Sequence, residues 1–158
     1  MTVLSTVALN SLLSIEITSN STVTSGSGVV LSGGLYVLTA AHLFNNYESN
    51  QSIDIVSANG ATLYDTQVFV HHGWDKISTD FNHDLAIIKL STRAINAGLP
   101  LYQDQEIDGV SFTLTGFGNN GSLHTGTNIF DGDGSLYNIS DNKNIVDNTQ
   151  VLYDYDNG

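Results

Sequence analysis

His42 closes the run VLTAAHLF (37–44) directly after three small residues, Thr39, Ala40 and Ala41, and Asp84 opens a second apolar run, HDLAIIKL (83–90). These residue types suit proton transfer. A neutral imidazole is a useful base near neutral pH when one ring nitrogen is held as a donor and the other is left to accept a proton from a hydroxyl. A buried carboxylate can hold it so, provided that donors keep the carboxylate ionised away from water. Ala40 and Ala41 leave room for the His42 backbone to approach such a group.

Two other sets of side chains invite a metal. His71 and His72 are adjacent, so in a strand they point to opposite faces, and His83 and His124 lack paired ligands at useful spacing. Zinc is therefore not expected. Asp131 and Asp133 in DGDG, with Asp154 and Asp156 in DYDNG, offer hard oxygen ligands on loops that glycine makes flexible, which suits calcium. However, a loop counted from Asp131 has Leu136 where an EF-hand needs glycine and Asn142 where it needs a bidentate glutamate. Turn-forming surface acids are the expectation. The absence of cysteine excludes thiol catalysis, zinc–thiolate sites and disulfide staples.

The composition sets the frame for these groups. A chain of 158 residues suffices for one ordinary domain or two small lobes, and 41% hydrophobic against 13% charged residues argues for a packed core despite a net charge of −12. That charge repels phosphate backbones and anionic lipid heads, so neither nucleic acid nor a membrane is an expected partner. No run reaches the ~18 apolar residues of a membrane helix. The opening MTVLSTVALNSLLSIEI lacks a basic start and is broken by Ser, Thr and Asn, so no cleavable leader is expected. An extracellular location stays open.

β-branched and aromatic residues cluster in short runs between Gly, Asn, Asp and Ser, which predicts an all-β protein with tight connections. Six strands are expected first, at 12–18, 28–32, 36–40, 52–57, 62–71 and 85–90, with Gly33-Gly34 as a hairpin turn. The stretch after Leu90 carries the only proline, Pro100, and little alternation, so it reads as a linker. Further strands are expected at 111–117, 134–140 and 149–156, with 118–145 loop-rich. Trp74 and the seven tyrosines are assigned to the core.

TAAH, then DLAIIKL, with GSGVVLS (26–32) before and LTGFG (114–118) after, resembles the trypsin-like, chymotrypsin-fold serine endopeptidases from about Ser27 to Gly118. His72-Gly73-Trp74 is similar to that family's His-Pro-Gly-aromatic segment, and Thr115-Gly116-Phe117-Gly118 to its Thr-Gly-Trp-Gly turn. His42 and Asp84 are 42 positions apart, against about 45 in the chymotrypsin template. The resemblance implies a double β-barrel. Its first six-stranded antiparallel barrel would be complete and its second partial, with lobes at 1–95 and 111–158 and a linker at 96–110. It makes His42 the general base and Asp84 the group that fixes its tautomer, with a polypeptide as substrate and no cofactor.

The nucleophile is missing from this pattern. The template puts the serine about 93 positions after the aspartate, near ~177, beyond Gly158. Ser135 in GDGS (132–135) has the wrong residue order and comes too soon after Asp84 to fill the role. The oxyanion-hole donors belong to the same missing segment, so the chain by itself is expected to be inactive. Leu43 stands where many relatives have cysteine, a pattern similar to bacterial members, and no Ile-Val-Gly-Gly-like start is present. Two alternatives stay open: a non-catalytic interaction module on the protease fold, and an acidic, calcium-stabilised extracellular β-domain. An unfinished second barrel would also leave an open edge at TQVLYDYD (149–156), inviting self-association.

Overall fold

Strict alternation in LLSIEITS puts Leu13, Ile15 and Ile17 on one face of strand β1 (Leu12–Ser19), and all three are buried. Period-two geometry gives the same result in β4 (Ser52–Ser57), where Ile53, Ile55 and Ser57 point inward, and in β7 (Ala86–Leu90), where Ala86, Ile88 and Leu90 do. With Val30 of β2 (Thr22–Val30) and Val37 of β3 (Tyr36–Thr39), these side chains form one core. The computed structural model describes residues 4–19, 22–48, 51–79, 81–103, 108–118, 121–133, 135, 144–146 and 151–152. Among them no helix is long and apolar enough to cross a membrane.

The strands pair antiparallel in the order β5-β4-β1-β2-β3-β7-β6, where β5 is Thr62–Leu63 and β6 is Asp65–Val70. The expected single strand at 62–71 is thus split at Tyr64. Its first part bonds to β4 and its second to β7, so one bent segment joins the two edges of the sheet and nearly closes a six-stranded barrel. A register shift between Asp65 and Gln67 accompanies the bend. Gly33 and Gly34 turn the β2–β3 hairpin at positive φ, as expected.

Three further elements differ from the sequence reading. A short helix, α1 (Thr6–Ser11), precedes β1, with the Ser5 hydroxyl accepting the Ala8 N–H at 3.1 Å as its N-cap. The second strand starts at Thr22, six residues early, because its polar TVTSGS half lies largely outside the core and shows no apolar alternation while the ladder to β1 still runs from Ser19↔Thr22 to Leu12↔Val29. The loop-rich stretch contains β9 (Leu123–Ile129), a largely exposed strand paired along its whole length with β8 (Ser111–Phe117).

The segment after β7 is bonded to the barrel. Leu99 pairs with Leu31 in an isolated parallel bridge, and the Gly98 N–H donates to Ser11 Oγ at 2.8 Å. The β8–β9 hairpin also docks there, its Phe117 N–H donating to Ser27 Oγ of β2 at 2.8 Å. A further ladder joins β10 (Gly132–Asp133) to β11 (Val151–Leu152). The expected strand at 134–140 lies outside the described residues except Ser135, as do the ends of the one expected at 149–156. A nearly closed antiparallel barrel with a partial second sheet is the double-barrel architecture that was expected.

Ile88 is fully buried between β3 and β6. Ile88→Ala is expected to cost about 2–5 kcal/mol, seen as a lower urea midpoint at unchanged slope.

Candidate active site

The barrel brings His42 and Asp84 together through one pair of strands. In the β3–β7 ladder Thr39 lies opposite Ala86. His42 leaves that end of β3 three residues later and Asp84 enters the same end of β7 two residues earlier. Antiparallel pairing therefore converts a separation of 42 positions into contact.

Beyond Thr39 the chain forms a 3-10 turn at Ala41–Phe44. Ala41 and Phe44 share a face at this three-residue period and are buried with Leu43. His42 is left pointing outward, its side chain 46% exposed. On the other side, the His71 N–H donates to the Leu85 carbonyl at 2.9 Å and closes the loop between β6 and β7. Phe81 and His83 both have left-handed φ, at 55° and 61°, just before Asp84.

Both oxygens of Asp84 are engaged by His42. Oδ1 accepts the backbone N–H and Oδ2 meets ring Nδ1, each at 2.7 Å. The Asp84 side chain is only 19% exposed, so these donors replace lost water. An ionised carboxylate can only accept, which places the imidazole proton on Nδ1 and leaves the Nε2 lone pair free. Such an arrangement can act chemically as a base with its tautomer set.

The sequence reading assigned Trp74 to the core, and its ring does pack there in part. It also has a polar task that was missed. Its Nε1–H donates to Asn45 Oδ1 at 2.9 Å, and the Asn45 N–H donates to the His42 carbonyl at 3.3 Å, tying the loop of Asp84 to the turn of His42. Asn82 was missed as well. Its side chain donates to the Asn144 carbonyl at 2.6 Å and accepts the Val146 N–H at 3.1 Å, so a segment beyond the first barrel is held against the same loop. The signal for Trp74 was HGW; a lone asparagine in a loop carries none.

Among the described residues no three His, Asp or Glu side chains are grouped to hold a metal ion. Asp131 is exposed, and Asp133 Oδ1 accepts the Ser135 N–H at 2.8 Å in a local turn. Asp154 and Asp156 lie outside the described residues.

The family model described as Trypsin matches residues 8–153. The chain belongs to the trypsin family. Among solved structures it is similar to kallikrein-related peptidase 10 in complex with Zn2+, at 18% identity and a TM-score of 0.65, covering 92% of this chain and 68% of that one. It is also similar to the scabies mite inactivated protease paralogue S-I1, at 18% identity and a TM-score of 0.61, covering 79% of this chain and 62% of that one. These similarities are of fold. No curated protein matches the sequence significantly.

In Asp84→Asn the amide can donate to Nδ1, so the His42 proton is expected to move to Nε2, read by nitrogen chemical shifts in two-bond NMR correlation spectra. Trp74→Phe keeps the packing and removes the donor to Asn45; a loss of about 1 kcal/mol in stability is expected from urea denaturation.

Proposed function

We propose that this chain supplies the base and its orienting carboxylate to a trypsin-like serine endopeptidase that cleaves polypeptides through an acyl-enzyme. The observation that carries this reading is the two-point hydrogen bond between His42 and Asp84 in a chain of the trypsin family. The lobe of residues 1–95 bears both groups, 96–110 links the lobes, and 111–158 begins the second.

In this reading His42 Nε2 takes the proton of a serine hydroxyl as its oxygen attacks the scissile carbonyl carbon. Asp84 stabilises the imidazolium so formed. The same proton passes to the leaving amine nitrogen as the C–N bond breaks, leaving an ester. Water then gives its proton to Nε2 while attacking the ester, and that proton returns to the serine oxygen. No cofactor enters. Residues 1–158 contain no Gly-Asp-Ser-Gly, so the reading assigns the nucleophile and the oxyanion donors to a segment that these residues do not include.

Polypeptide 1–158 alone is accordingly expected to leave casein intact and to remain unlabelled by a fluorophosphonate probe. Labelling of a serine within 1–158 that His42→Ala abolishes would overturn this assignment. The reading frame after codon 158 is the companion test: Gly-Asp-Ser-Gly about 93 residues after Asp84 supports a protease. A stop codon there would favour a non-catalytic module, whose partner binding survives His42→Ala.

A further inference from the structure

The loop between β6 and β7 carries three of the five histidines and stacks them. The His71 ring lies 4.6 Å from that of His72, inclined by 28°, and 4.8 Å from that of His83, inclined by 16°. His71 is therefore the middle ring. Its Nδ1 accepts the Gly73 N–H at 3.1 Å, so the neutral ring carries its proton on Nε2. Gly73 also permits the close approach of the third ring, because a Cβ there would come within 2.8 Å of His83 Cδ2.

His83 directly precedes Asp84 and has φ 61°. A left-handed conformation costs a residue with a Cβ about 1–2 kcal/mol, so it persists only where surrounding contacts hold it. The ring stack is such a contact. The backbone at Asp84 is held through its neighbours: its own N–H reaches the Phe81 carbonyl at 3.3 Å, while the Leu85 N–H donates to the carbonyl of His83 itself at 2.7 Å. The side chain that must meet two donors thus depends on the residue before it being held in place.

We propose that the stack of His71, His72 and His83 positions the Asp84 carboxylate, and that protonation of the stack releases it. Neutral rings can pack face to face as these do. Two protonated rings less than 5 Å apart repel, freeing His83 from its left-handed conformation and withdrawing Asp84 from His42. The three histidines are positioning residues, and the consequence for catalysis rests on the proteolytic reading above. The geometry does not.

The charges around the stack favour this outcome. Removal from water, then the charge of His72, then that of His83, hold the His71 pKa below the ordinary imidazole value. The loop's other described charges are Asp75, Lys76 and Asp84, and the facing 3-10 turn contributes His42. Asp75 Oδ1 accepts the Ile77 N–H in its own turn, and both Asp84 oxygens face His42. A histidine with a lowered folded pKa contributes stability that is fully present above the unfolded value of about 6.5 and is lost as pH falls toward the folded one. The direction of this shift agrees with a loop that is held at neutral pH and released in acid.

The test uses chain 1–158 with isotope-labelled histidine, following the His42 Nδ1 proton and the three stack rings by NMR from neutral pH to about pH 4.5. Protonation of His42 itself keeps the Nδ1–H, so acid alone does not remove that bond. The expected result is loss of the His42–Asp84 signal in step with stack protonation. His72→Phe keeps an outer ring without its charge and should move that loss to lower pH by about half a unit or more. His83→Asn, which tolerates left-handed φ, should weaken the signal already at neutral pH. An unchanged pH profile in His72→Phe, or stack protonation in the unmodified chain with the His42 signal intact, would overturn the proposal. Because the readout is a hydrogen bond, either result is independent of whether the chain serves a protease.

Discussion

One carboxylate with both oxygens engaged by the same residue holds this site together. Asp84 spends one oxygen on the His42 main chain and the other on its ring. The first bond fixes the 3-10 turn relative to the loop, and the second fixes the tautomer. Hydrogen bonds to a charged group contribute about 1.5–3 kcal/mol each, and losing either would leave a poorly hydrated charge unmatched. Both bonds require the two backbones to be placed within a few tenths of an ångström.

The barrel meets that requirement with adjacent strands. Because β3 and β7 are antiparallel neighbours with Thr39 opposite Ala86, the residues flanking that end of the ladder are close before any side chain interacts. A one-residue slip would turn Val37, Ile88 and Leu90 out of the core, so hydrophobic burial also guards the register on which the site depends. Core packing and site geometry are enforced by the same side chains.

The loop that carries Asp84 has less regular support and compensates with side-chain contacts. Trp74 reaches Asn45 across to the turn of His42, Asn82 grips residues 144–146, and the imidazole stack lies beside the left-handed residue before Asp84. Each contact comes from a different part of the loop. Together they make the loop a bridge between the first barrel and the chain beyond it.

Residue type and spacing were enough to single out His42 and Asp84, the strands β1, β4 and β7, and the all-β class, because each depends on local composition or on a short motif. The start of β2 and the whole of β9 escaped, since strands whose side chains are mostly exposed show no apolar period and are held by their ladders. The bend at Tyr64 escaped for a related reason: its two halves differ only in which neighbour they bond. Likewise the sequence shows His71, His72 and His83 only as histidines without metal-ligand spacing, whereas the turn at 71–85 folds their rings onto one another. Motif and pattern thus picked out the residues of the candidate site. Which of them touch was decided by ladder register and loop closure, because a hydrogen bond between residues 42 positions apart exists only once the strands between them have paired.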